Sequence, residues 1–311
     1  MDIISIGEAL IDLTMSSVDK DGIKLFKAFP GGAPANLAVA AKRLGAETSF
    51  IGRVGNDYFA SILVDTLVAN GVDVDNVQVD NQHPTTLAIV SVDKNGERSF
   101  TFYRDNAADV NLEADEIDFS EFKEARILHF GSLSLTHEKS KEATYKALQV
   151  AKDLGLLITF DPNYRDTLWS SKAKFKAEVS KVLAKVDVLK LSIAELKLLS
   201  DKANLKAAAK DLLKRYDLKL VIVTLGKAGA FLETAKFSIQ RPGIESKVVD
   251  TNGAGDTFFA AFLSKLLTFD ALEEISEDEY VDILDFSNKA AALSTSKAGA
   301  IPAMPYLHEI E

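Results

Sequence analysis

Asp250-Thr251-Asn252-Gly253-Ala254-Gly255-Asp256-Thr257 runs without a break into the apolar stretch 258–267, FFAAFLSKLL. Small residues at 253–255 leave backbone N–H groups uncovered, and a helix opening there turns them toward a common spot. The amino end of a helix carries partial positive charge, so the turn predicts an anion site. Asp256 falls in the first helical turn, beside that site. A carboxylate there can accept a proton from an attacking hydroxyl while the N–H groups of Gly253, Ala254 and Gly255 hold a phosphoryl group in transit. Taken alone, such an aspartate is more often a cap, because an acid in the first turn complements the dipole and ties down free N–H groups.

Upstream of this turn, short apolar runs alternate with amphipathic segments. Residues 3–6, 49–51, 127–130, 156–160, 188–191 and 220–224 predict core strands. Residues 34–44 predict a helix, with Leu37, Ala40, Ala41 and Leu44 on one face, Pro34 in the first turn and Gly45 as the stop. Residues 57–70 and 138–154 predict two more, closed by Gly71 and Gly155. Strands alternating with helices imply an α/β body with a mostly parallel sheet covered on both faces. Residues 11–30 and 84–104 break the pattern and predict an inserted β-sheet, a lid over the end of the main sheet, within a single domain of residues 1–311. In the second insert Phe100 and Phe102 share a face, and Asp93-Lys94-Asn95-Gly96 predicts the turn. The acidic stretch 273–285 and the lysine-rich stretch 202–215 predict solvated helix faces.

A second glycine-rich turn, Gly31-Gly32-Ala33-Pro34-Ala35-Asn36, opens the helix at 34–44. Its glycines permit close backbone approach, and the Asn36 amide can both donate to and accept from a sugar hydroxyl. This segment with Leu37, Ala38, Gly45 and Gly55 resembles the first signature of the PfkB sugar kinases, and residues 250–263 resemble the second. Their order and separation are also similar to that family, and the resemblance runs along essentially the whole chain. It implies a ribokinase-like fold, ATP and Mg²⁺, and transfer of the γ-phosphate to a sugar hydroxyl, with Asp256 as base and Gly253, Ala254 and Gly255 as anion hole.

The same resemblance implies the rest of a site. Asp12, Gly31, Gly32, Asn36, Arg104, Asp161, Asn163, Arg165 and Asp256 would hold the sugar. Lys190, Ser192, Thr224, Gly226, Gly229, Asn288, Ala291 and Ala292 would join the anion turn in binding ATP. Glu195 would organise Mg²⁺ through water, although Ser192-Ile193-Ala194-Glu195 equally matches a capping box. Ser192 departs from the asparagine usual in the family. Asp250, Asn252, Ser294 and Gly299 fall where relatives can bind a monovalent cation, K⁺ for example. Either arginine can instead serve a structural ion pair. The stretches 103–109, 129–135 and 161–165 look most like those of fructokinases; kinases of 2-keto-3-deoxygluconate, whose anionic substrate would want Arg104 and Arg165 as carboxylate partners, and ribokinases stand as alternatives.

Composition narrows the field independently. The chain has 311 residues, a net charge of −10 and no cysteine. That charge makes nucleic acid and anionic membranes poor partners. The lack of thiols removes disulfides, thiolate metal sites and cysteine nucleophiles. The first residues, MDIISIGEALIDL, have no basic leader pattern, and no apolar run approaches the ~20 residues of a membrane span, so a cytoplasmic protein is expected. A Rossmann dehydrogenase would need Gly-x-Gly-x-x-Gly after the first strand, where Gly7-Glu8-Ala9 stands, and no Gly-x4-Gly-Lys-Ser/Thr is present. A non-catalytic sugar or nucleotide sensor on the same fold would be expected to lack the base or the anion turn; both are here. The exposed face of the lid predicts a homodimer, lid on lid.

Overall fold

A strand buried on both faces must be covered on both sides, and Ile3–Ile6 is such a strand, with Ile3, Ile4, Ser5 and Ile6 all fully buried. The computed structural model describes residues 1–92 and 98–311. Its strands and helices begin with β1 (Ile3–Ile6), β2 (Leu10–Val18), β3 (Lys24–Gly31), α1 (Ala33–Arg43), β4 (Thr48–Gly55), α2 (Tyr58–Ala69), β5 (Val77–Asp80), β6 (Leu87–Val92) and β7 (Arg98–Tyr103). They continue with β8 (Ile127–Gly131), α3 (Glu138–Leu154), β9 (Leu157–Asp161), α4 (Lys172–Leu183), β10 (Val188–Ser192), α5 (Ile193–Leu199), α6 (Leu205–Arg215) and β11 (Leu220–Thr224). Strands β12 (Ala230–Thr234) and β13 (Ser238–Arg241) and helices α7 (Ala254–Leu266), α8 (Glu277–Ser294) and α9 (Leu307–Ile310) complete the chain. This is the α/β, ribokinase-like arrangement expected.

The main sheet runs β13-β12-β11-β10-β9-β8-β1-β4-β5. From β11 to β5 every neighbour is parallel, while β12 and β13 turn back antiparallel. That antiparallel edge carries no alternation in the sequence because all five residues of β12 are buried. The second sheet, β3-β2-β6-β7, is the inserted lid. The expected turn Asp93-Lys94-Asn95-Gly96 lies outside the described residues. The acidic stretch is also less uniform than expected. A single 3-10 turn at Leu272–Glu274 precedes α8, whose capping box pairs Ser276 with Glu279 and whose inner face buries Tyr280, Ile283 and Leu284.

Local signals explain most helix ends. Asp57 caps α2 by accepting the Ala60 N–H at 2.9 Å, and Gly155 closes α3 with φ 76°. Helix α7 is apolar nearly all round, and Phe258, Phe259, Ala260, Ala261, Phe262 and Leu263 are buried against α1 and α8. Burying each of those phenylalanines contributes about 2–3 kcal/mol, so the helix that carries Asp256 is anchored by its own sequence. No helix among the described residues is long and apolar enough to cross a membrane.

The chain leaves the end of β1 through Gly7-Glu8-Ala9, forms the lid strands β2 and β3, and returns at Gly31-Gly32 into α1. It then adds β4 on one side of β1 and later β8 on the other. The strand order therefore reverses beside β1, and the carboxyl ends of β1 and β8 open a crevice of the kind in which open α/β sheets bind ligands.

Candidate active site

A cavity occupies this crevice. Asp12, Gly32, Asn36, Asn163, Arg165, Asn252, Gly253 and Asp256 line it, as do Glu8, Leu133, Phe100 and Phe102. Eight residues singled out from sequence thus meet in one place. Gly32 reaches the site because it has φ 104°, and a Cβ there would stand 2.4 Å from the Glu8 carbonyl oxygen. Gly31 lies beside Asp12, within 2.9 Å of Oδ2 by the same measure. Asn163 takes φ 44°, a left-handed conformation that asparagine tolerates. A larger hollow of about 680 Å³ lies at the opposite ends of the strands, where Lys219 pairs with Asp187 at 3.2 Å and Arg126 bonds to the Leu267 carbonyl. It holds none of the residues that carry the chemistry.

Asp256 is the third residue of α7 and is buried. Asn36 Nδ2 donates to its Oδ2 at 2.8 Å, joining the two glycine-rich turns across 220 residues of sequence. A helix amino terminus favours a carboxylate, but burial wins here. Burial first, and then the neighbouring Asp161, push the Asp256 carboxyl up to about 6, against the pull of Lys190, Asn36 and Arg165. It is therefore an ionised carboxylate near neutrality with appreciable proton affinity, which suits a general base.

Behind this group Lys190 Nζ donates to Asp161 Oδ2 at 2.6 Å, both side chains being almost wholly buried. Burial opposes the lysine's charge, yet Asp161, Glu195 and Asp256 hold its pKa above the usual value, so it is a cation. A Cβ at Gly255 would lie 2.9 Å from Nζ, so glycine there lets the ammonium approach the anion turn. Gly253 opens that turn with φ 74°. The Ala254 N–H makes a long 3.3 Å contact to the Thr251 carbonyl, and the Gly255 N–H belongs to the first helical turn, which has no intrahelical acceptor for it. His129 lies near the same strand ends, but burial drives its pKa down to about 3, so it stays a neutral imidazole at working pH.

Other expected residues sit further off. Arg104 is buried at 2% exposure and does not line the cavity. Its Nε donates to Asp109 at 2.7 Å, Nη1 to Thr136 at 2.7 Å and Nη2 to the Leu133 carbonyl at 3.0 Å. Each guanidinium nitrogen thus has one protein partner, and the ion pair with Asp109 lies behind the residues that line the cavity. Arg165 does line the cavity, with Nη1 on the Asn163 and Tyr164 carbonyls and its guanidinium 5.8 Å from the Phe100 ring of the lid.

The ends of β10 and β11 carry the expected nucleotide residues, with Ser192 and Thr224 side by side in register. Gly226 faces open space, whereas Gly229 is required by packing, since a Cβ would meet the Arg241 carbonyl. On α8, Asn288 Nδ2 donates to the Pro242 carbonyl at 3.1 Å, and Ala291 and Ala292 are half-buried. Glu195 completes the capping box: Oε2 accepts from Ser192 N–H and Oγ, each at 2.7 Å, and Oε1 accepts the Tyr164 N–H at 2.6 Å. Asp250 accepts the Asn252 N–H at 2.7 Å and the Gly299 N–H at 2.9 Å, while the Ser294 hydroxyl donates to the Ala291 carbonyl. Among the described residues no cluster of three or more acidic or histidine side chains could hold a metal unaided.

Sequence reasoning passed over Glu8, Phe100 and Phe102 as cavity residues. The two phenylalanines were legible as one face of a strand, but which face looks inward depends on how the lid folds back. Glu8 carried a weaker signal, a charged residue directly after a buried strand.

The family model for pfkB family carbohydrate kinases matches residues 1–307. The chain is 40% identical over 307 residues to the fructokinase of Solanum tuberosum, covering 97% of this chain and 92% of that one. A crystal structure of fructokinase from Xylella fastidiosa with bound ATP superposes with a TM-score of 0.91 at 32% identity, over 99% of this chain and 96% of that one. A double mutant of fructokinase from Vibrio cholerae, bound to fructose, ADP and a potassium ion, gives 0.90 at 32% identity over the same shares.

Proposed function

We propose that this chain, which belongs to the pfkB family of carbohydrate kinases, is an ATP-dependent fructokinase that phosphorylates the 6-hydroxyl of D-fructose. The observation that carries this reading is the buried Asp256 carboxyl, bonded to Asn36 and lining one cavity with Asp12 and Gly32 at the mouth of an anion turn. Asp256 takes the proton of the 6-hydroxyl as that oxygen bonds to the γ-phosphorus. The bond from the γ-phosphorus to the bridging oxygen breaks, and ADP leaves. Gly253, Ala254 and Gly255 offer N–H groups, and Lys190 a cation, to the charge that develops. Phe100 and Phe102 of the lid help exclude water, which limits hydrolysis of ATP.

Mg²⁺ supplies charge neutralisation on the phosphates. Glu195 would act on the ion through water, because both of its oxygens already accept N–H or O–H groups. Asp250, Asn252, Ser294 and Gly299 are assigned to a K⁺ site by analogy with the potassium-bound relative. The cytoplasm is the compartment that supplies ATP to such an enzyme.

A neutral sugar is favoured over a keto-acid because Arg104 is paired with Asp109 and, among the described residues, Arg165 alone is a basic side chain lining the cavity. The test is ADP release with fructose, 2-keto-3-deoxygluconate, ribose and glucose in parallel. A kcat/KM for fructose well above the others is expected. Preference for the keto-acid would refute the substrate, and no turnover with any sugar would refute the kinase reading.

The partner we assign to the lid is a second copy of this chain. Met15, Val18 and Phe26 share one face of strands β2 and β3 and expose 46–54% of their surface, an apolar face that a second lid would cover.

A further inference from the structure

Glu8 follows β1 at the strand-order reversal and is 4% exposed. Its Oε1 accepts the Ala33 N–H at 3.0 Å, which ties the Gly31-Gly32 turn to the cavity wall. Its Oε2 is buried and has no hydrogen-bond partner. Buried polar atoms are rarely left so, and in native proteins an exception calls for an explanation. The nearby cation does not supply one, since the Arg104 nitrogens bond to Asp109, Thr136 and Leu133. Among the residues lining the cavity one other buried side-chain atom is orphaned, Asn36 Oδ1. Two unsatisfied oxygens on residues that line one cavity, beside Asp12, Asp256 and the apolar side chains of Phe100, Phe102 and Leu133, form a recognition pattern for hydroxyl groups.

We infer that Glu8 is a specificity-determining residue whose Oε2 hydrogen-bonds a hydroxyl of the bound sugar other than the one that is phosphorylated. Burial pushes its carboxyl up to about 7, with Asp109 adding to the rise and Arg104 and the Ala33 N–H opposing it. Both protonation states therefore exist near neutrality, and either matches a hydroxyl, which donates and accepts. Oε1 meanwhile keeps Gly32 and Ala33 in place, so one carboxyl joins the sugar to the turn that carries Asn36.

The inference rests on the fructokinase reading, so fructose turnover by the wild-type protein is measured first. Its absence would refute that reading and this assignment with it. The assignment alone is then tested with 1-deoxy-, 3-deoxy- and 4-deoxyfructose on the wild type, Glu8→Gln and Glu8→Ala. One analogue is expected to lose roughly tenfold to a hundredfold in kcat/KM with the wild type. That penalty should vanish in Glu8→Ala, with KM for fructose raised and KM for ATP unmoved. Glu8→Gln retains an acceptor for the Ala33 N–H and the side-chain shape, so it serves even if Glu8→Ala fails to fold. Its penalty should shrink by at least about threefold, because an amide bonds a hydroxyl more weakly than a carboxylate does. The same deoxy-sugar penalty in the wild type and in Glu8→Gln would overturn the assignment, as would KM values for ATP and fructose rising together, which is the mark of a purely structural role.

Discussion

Replacing Asp256 with asparagine should make the protein slower and more stable at once. The carboxyl titrates near 6 in the folded chain against an ordinary value of 3.8. A folded pKa raised above the unfolded one means that the folded state binds the extra proton between those two values. The stability this gives is complete below the unfolded pKa and is lost as pH rises through the folded one. Above pH 6 the ionised carboxylate therefore weakens the fold by about 3 kcal/mol relative to a neutral group. Asparagine is neutral at every pH and can still accept from Asn36 Nδ2, while Lys190 keeps its partner Asp161. Allowing for an amide NH₂ that must find an acceptor, the Asp256→Asn protein should gain about 1–3 kcal/mol at pH 7.5. At a few degrees per kcal/mol for a chain of this size, that raises Tm by about 5 °C. The gap should close by pH 4. In parallel kcat should fall about 10²–10⁴-fold, the usual worth of a general base. Thermal unfolding of the ligand-free protein across pH 4–8, with ADP release under saturating substrates, measures both. A Tm gain that is absent or independent of pH would refute the burial argument, and a kcat within a few-fold of wild type would refute the base.

Other expectations follow from the same geometry. Sugar kcat/KM should fall about tenfold per pH unit below about 6, because protonated Asp256 cannot accept the hydroxyl proton; a profile flat down to pH 5 would count against it. Lys190→Met strands Asp161 in the interior and should cost about 3–5 kcal/mol in urea unfolding, whereas an unchanged midpoint would mean that the pair is dispensable. Gly32→Ala must move the Glu8 carbonyl, so it should raise KM for the sugar even where the fold survives, and wild-type kinetics would contradict the close approach. Phe26→Asp on the exposed lid face should convert a dimer to a 33.8 kDa monomer in sedimentation; a wild type that is already monomeric would dispose of the lid-to-lid assembly.

The sequence by itself determined the features whose causes are local. Helix stops at Gly155 and Gly71, the Asp57 cap and the apolar wrap of α7 arise from backbone sterics, capping and periodicity within a few residues, so they can be read along the chain. The glycine turn before Asp256 is legible for the same reason. The tertiary structure decided which charges meet. Arg104 was expected to reach a ligand, with an ion pair as the alternative, and packing set it on Asp109. Asn36 and Asp256 were separate candidates until the fold set them 2.8 Å apart, and nothing near Glu8 in sequence says that one of its oxygens stays unpaired. Proton affinity at this site depends on burial and on charges contributed by distant strands, which local sequence does not encode.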